Sequence, residues 1–252
     1  MNMRNKQFII WCDKGMAFSF FALIYFLPIS IALSELFTGL ALFFYLLKRG
    51  AMFYGDLKQK SSEGIHYSFW KKGYEFLKAY KPVDNCLNWP IAIFLLFNFI
   101  SVFLSQHPGV SFEGFMGKSL QSAFLYFNFV ECINSKKRLK IFLTTLLISC
   151  LLICTNGFYQ YFVGHGFIHG HIFEGRVASS LRQANDFAAY LVVMIPILLS
   201  LLVVGLFKQK QTDVQSLPDP FLSHFCKLKI LTFIIFVLAT VCLGLTYSRG
   251  AW

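Results

Sequence analysis

The chain of 252 residues is 56% hydrophobic and only 14% charged, with 31 Phe and a mean hydropathy of +0.59. A soluble domain carries about 45–50% apolar and about 25% charged residues, so this composition excludes an ordinary soluble fold. The net charge of +11 does not point to nucleic acid, because no aromatic-and-basic platform stands outside the apolar blocks and membrane proteins keep Lys and Arg in cytosolic loops during insertion.

Seven apolar segments follow in chain order, at about 16–31, 33–47, 87–104, 118–133, 139–159, 186–207 and 228–247. Crossing hydrocarbon takes roughly 20 apolar residues at 1.5 Å each. Helices are required, since lipid cannot satisfy free backbone groups, and the alternating polarity of barrel strands is missing. The expected fold is therefore all-α, a polytopic transmembrane helix bundle of about seven spans forming one membrane domain over 1–252. The first two segments predict a hairpin with its turn near Pro28 to Glu35, or a bent and partly buried pair. The fourth is the weakest. Pro28, Pro90 and Pro196 are tolerable where neighbouring helices satisfy the freed carbonyls. A cleaved signal peptide is disfavoured, because no small-x-small site follows the first run and a second begins at once.

Orientation follows from the Lys and Arg between segments. Three fall in 1–15, eight in 48–86, four in 134–140 and four in 208–229, which leaves only Lys118, Arg176, Arg182 and Arg249 on the other side. This predicts a cytoplasmic N-terminus, a periplasmic C-terminus, a basic cytoplasmic loop at 48–86 and a periplasmic loop at 160–185. The aromatic residues among the lysines of 48–86 fit a basic amphipathic helix resting on anionic lipid. No Cys lies in a far-side loop, so no disulfide is expected. Cys150 and Cys154 share a helix face and are read as packing residues.

With most cations explained by topology, the far-side arginines stand out. Arg176 and Arg182 lie in a loop rich in Gly, His and polar residues, and Arg249 follows the last segment within YSRGAW. A guanidinium is the natural partner of phosphate, through a rigid fork of donors. Snorkelling to lipid head groups is the competing reading. Asn185 and Asp186 begin the sixth segment, where either caps a helix, and a helix N-terminus also attracts anions. His165, His169 and His171, with Glu174, are the one set with metal-ligand chemistry, but the intervening glycines argue against a fixed arrangement and no metal is expected. Glu35 and Glu113 are far-side carboxylates open to a role as base or as ion-pair partner, and 112–118 reads as an interfacial segment.

Two stretches carry a family resemblance. GRVASSLRQANDFAAYLVVMIPI (175–197) is similar to a G-R-x-x-S/G…N-x-F-A-x-Y-L pattern, and LGLTYSRGAW (243–252) to a T-x-S-R-G-A-W signature. Both belong to the O-antigen ligase/polymerase superfamily of bacterial envelope glycosyltransferases, whose opening hairpin the stretch LPISIALSELFTGLALFFYLL also resembles. The resemblance implies a bacterial inner-membrane protein of lipopolysaccharide biosynthesis. It would transfer a glycan from undecaprenyl pyrophosphate to lipid A–core or to a growing glycan on the periplasmic face, without metal or cofactor. It implies that Arg176 and Arg249 hold the pyrophosphate, with Arg182 and Asn185 as weaker matches. Family members continue with further helices and a periplasmic loop bearing a functional histidine. The chain is therefore expected to be C-terminally truncated, its enzymatic activity uncertain. The alternatives are a non-catalytic transporter or assembly subunit, or an inactive fragment of the ligase.

Overall fold

The computed structural model describes the backbone of residues 3–62, 85–168, 175–210 and 228–248, and every regular element among them is helical. In chain order these are α1 (Met3–Phe26), α2 (Ile31–Ser62), α3 (Asn88–Phe103), α4 (Pro108–Gly114), a π-helical stretch (Phe115–Leu120), α5 (Gln121–Cys132), α6 (Lys136–Val163), α7 (Ala184–Lys210) and α8 (Lys229–Leu245). Among the described residues, four stretches are long and apolar enough to cross a membrane: Asn5–Phe26, Ile31–Gly55, Lys136–Val163 and Ala184–Val203. α3 and α8 are apolar but shorter, at 16 and 17 residues. Large side chains such as Trp89, Phe103, Leu104 and Ile230 stand exposed along these helices, as a surface facing lipid requires.

The weak fourth segment is the back of one helical run, in which α4, the π stretch and α5 follow without a break. The expected interfacial segment 112–118 forms the middle of that run. Of 48–86, where a basic amphipathic helix is expected, the described part is helical as far as Ser62, and 63–84 lie outside the described residues. Within α2, Lys48 and Arg49 are held in ion pairs.

By its contacts the chain divides into two compact units. One comprises Met1–Phe20 and Leu36–Asn134, the other Phe21–Glu35 and Ser135–Trp252. In lipid, apolar contact between helices gains only packing, so close approach and polar pairing hold helices together. In the first unit, Gly15 lets α1 approach α2 so closely that a Cβ there would stand 2.9 Å from the Phe44 ring. Tyr45 meets Phe124 edge-on at 5.3 Å, and Phe20 meets Phe129 at 6.0 Å.

In the second unit, Phe187, Leu191, Met194 and Leu198 line one face of α7 at helical spacing. They pack against Leu147, Cys150, Ile153 and Cys154 of α6 and Ile235, Ala239 and Cys242 of α8. The Cys150 and Cys154 sulfurs are 3.8 Å apart in this core. Ser135 caps α6 by accepting from the Arg138 amide at 3.3 Å. Gly164 ends that helix at φ 85°, a left-handed conformation that glycine adopts without penalty. The turn expected near Pro28 is present, since Ser30 N donates to Phe26 O at 2.9 Å.

Candidate functional site at the Arg176–Asn185 junction

The segment after Gly175 is threaded among helices of the second unit. Val177, Ala178, Ser179 and Ser180 are all buried. Buried backbone must find partners, and two polar residues one turn apart on α6 provide them. Gln160 Oε1 accepts from the amides of Ala178 at 3.2 Å and Ser179 at 2.8 Å. Asn156 donates to Ser179 Oγ at 3.0 Å and accepts from the Ile168 amide at 3.0 Å. Ser179 Oγ donates to Ile153 O at 2.8 Å, and Ser180 Oγ to Pro28 O at 2.7 Å. Ser179 itself sits at φ 55°, a conformation costly for a residue with a Cβ, and these bonds hold it there. Gly157 makes the room: a Cβ at that position would lie 3.0 Å from Phe187 and 3.4 Å from Ser179.

This anchored segment delivers Arg176 to the end of α8. Val177 N donates to Leu245 O at 3.2 Å. Arg176 Nε donates to Thr246 O at 2.9 Å, and Nη2 donates to Asn185 Oδ1 at 2.7 Å. Ser248 Oγ donates to the same Asn185 oxygen at 3.1 Å. Three stretches thus converge on one guanidinium: the loop, the first turn of α7 and the chain after α8. A guanidinium has five N–H groups. Two are engaged here, and among the described residues Nη1 and the second Nη2 hydrogen have no hydrogen-bond partner.

Arg176 and Asn185 are therefore brought together. Asn185 lies inside the first turn of α7, and its side-chain oxygen serves Arg176 and Ser248. Arg182 is exposed and forms no bond with a described residue. Arg249 lies outside the described residues, directly after Ser248 in the chain. Of the histidine set, His165 is exposed on the loop with its ring 6.2 Å from Tyr159, while His169, His171 and Glu174 lie outside the described residues. Among the described residues, no group of three or more His, Cys, Asp or Glu is placed to hold a metal. Glu35 and Glu113 are both exposed.

Sequence reasoning missed Asn156, Gln160 and Ser179. The available signal was two amides spaced i, i+4 in an otherwise apolar helix. It also missed a charge cluster in the first unit. Lys48 Nζ pairs with Asp13 Oδ1 at 2.6 Å and with Glu131 Oε1 at 2.9 Å, and Arg49 Nη2 pairs with Glu131 Oε2. The four side chains are only 8–19% exposed, and Arg49 also lies over the Tyr45 ring at 5.3 Å.

No family model, curated protein or solved structure matches the chain. The helices Asn5–Phe26, Ile31–Gly55, Lys136–Val163 and Ala184–Val203 make this an all-α chain of membrane-protein character.

Proposed function

We propose that the protein is a multi-pass inner-membrane glycosyltransferase of the O-antigen ligase type. It transfers a glycan from undecaprenyl pyrophosphate to lipid A–core, or to a growing glycan, on the periplasmic face. The observation that carries this reading is the tethered guanidinium of Arg176, held through Nε and Nη2 by Thr246 O and Asn185. Its remaining donors match the two-pronged geometry of a phosphate. In the reaction the acceptor oxygen bonds to the anomeric carbon and the bond from that carbon to the phosphate oxygen breaks. The electron pair stays on the departing pyrophosphate, and the acceptor hydroxyl loses its proton to a base. A fixed cation beside the leaving group gains most as that negative charge develops. Arg176 has this role, and Arg249, next to Ser248, shares it.

The topology proposed with this function has seven spans and a cytoplasmic N-terminus. The start of α6 supports it. Lys136, Lys137 and Arg138 occupy the first turn, where the helix dipole disfavours cations by about 0.3–1 kcal/mol each. Retention of that turn in the cytosol accounts for residues that helix stability alone would reject.

The test is complementation of native-host cells lacking the gene. Wild type restores long-chain surface polysaccharide. Arg176→Ala inserts equally well but restores roughly 100-fold less, the scale expected on removing one donor to a developing anion. Full restoration by Arg176→Ala overturns the assignment. A second reading, a non-catalytic transporter or assembly subunit, is favoured by the charge cluster of the first unit, because ionisable residues within apolar helices often mark transport pathways. Unchanged surface polysaccharide in the deleted strain would select it.

A further inference from the structure

α2 has two working faces. Tyr45, Lys48 and Arg49 turn toward the charge cluster. Phe43, Leu46, Leu47, Gly50, Ala51 and Tyr54 turn the other way and, with Asn5 and Phe8 of α1, line a groove of about 560 Å³. That volume lies within the range of ligand sites, about 300–1,000 Å³. Gly50, which has no side chain, and Ala51, with a single methyl, line it beside the larger Phe8, Phe43 and Leu46. The groove is apolar along its length. Its polar lining residues, Asn5 and Tyr54, lie toward the first turns of α1 and the later turns of α2.

The same end is basic. Lys58 lies one turn beyond Tyr54, on the same face of α2. Lys6 adjoins Asn5, and both lysines are exposed. Apolar walls exclude a soluble polar ligand. A carboxamide, a phenol and two ammonium groups at one end suit a phosphate-bearing head.

We propose that this groove binds one acyl chain of an anionic phospholipid from the leaflet that the start of α1 faces. The methylene chain lies along Phe8, Phe43, Leu46 and Leu47 over Gly50 and Ala51, and the phosphate meets Asn5, Tyr54, Lys6 and Lys58. The site is independent of the Arg176 junction and of the glycosyltransferase reading.

The test is native mass spectrometry of the full chain, released from detergent micelles holding equal phosphatidylglycerol and phosphatidylcholine. Wild type retains one phosphatidylglycerol in preference to phosphatidylcholine. Gly50→Leu fills the groove and abolishes retention while helicity by circular dichroism is kept. Combined Lys6→Gln and Lys58→Gln lowers the preference about fivefold for each lysine, the weight of one cation beside an anionic lipid surface. Equal retention of the two lipids by wild type overturns the proposal, as does undiminished retention by Gly50→Leu. Should Gly50→Leu fail to insert, the lysine variants decide, and an unchanged preference overturns it.

Discussion

Asn185 Oδ1 accepts from Arg176 Nη2 at 2.7 Å while also accepting from Ser248 at 3.1 Å. One amide oxygen on α7 thus fixes a loop guanidinium and the chain that follows α8. Positioning is its main consequence, because Asn185 is exposed and its bonds contribute little stability. Asn185→Ala is expected to shift the stability of the purified protein by less than about 1 kcal/mol. Polysaccharide transfer falls roughly 10- to 100-fold as the guanidinium loses its aim. Asn185→Asp keeps the acceptor but places a carboxylate beside the cation. It should hold or raise thermal stability in detergent and still lower transfer, because the added charge repels a phosphate.

Gln160 answers for two buried amides at once. Gln160→Leu leaves the Ala178 and Ser179 N–H groups without their acceptor, at about 1–3 kcal/mol each. Thermal unfolding in detergent should show the loss. Cleavage by added protease within 164–183 should also accelerate, because the segment that carries Arg176 is no longer held.

The charge cluster gives an opposite pair of expectations. Lys48→Met leaves two carboxylates, Asp13 and Glu131, against the single cation Arg49 in a site from which water is largely excluded. It should destabilise the first unit by about 3–5 kcal/mol, the usual penalty for an uncompensated buried charge. Lys48→Met combined with Asp13→Asn restores the balance, one carboxylate (Glu131) facing one cation (Arg49), and should recover most of that loss. Thermal shift assays on the three proteins check the order.

Two glycines in helices differ in what surrounds them. A Cβ at Gly39 meets nothing within 4 Å, whereas one at Gly157 meets Phe187 at 3.0 Å. Gly39→Ala should therefore leave stability unchanged or raise it by up to about 1 kcal/mol. Gly157→Ala should lower it by about 1–3 kcal/mol through overpacking. Denaturation monitored by tryptophan fluorescence separates the two.

Orientation is tested by membrane-impermeant maleimide on intact cells, in a variant with the native cysteines replaced. Gln183→Cys and Asn134→Cys put a thiol at exposed positions. The proposed topology has Gln183→Cys label from outside and Asn134→Cys label only after permeabilisation. The reverse pattern would remove the periplasmic site.

The apolar blocks point to an all-helical chain, because only helices and closed barrels satisfy their backbone in hydrocarbon and the blocks lack the alternating polarity of barrel strands. Ser135 before α6, Gly164 after it and Pro28 between the first two helices are legible as boundaries for the same local reason: each acts through its own backbone or nearest amides. The phosphate-binding character of arginine is likewise a property of the residue and can be read without coordinates. Which arginine is held, and by what, is another matter. Arg176 meets Thr246 across 70 residues of sequence, and Lys48 meets Glu131 and Asp13 from different helices. Such pairings depend on how helix faces rotate against one another. The hydrophobic period sets those rotations poorly when nearly every face is apolar, and only the packed tertiary structure decided them.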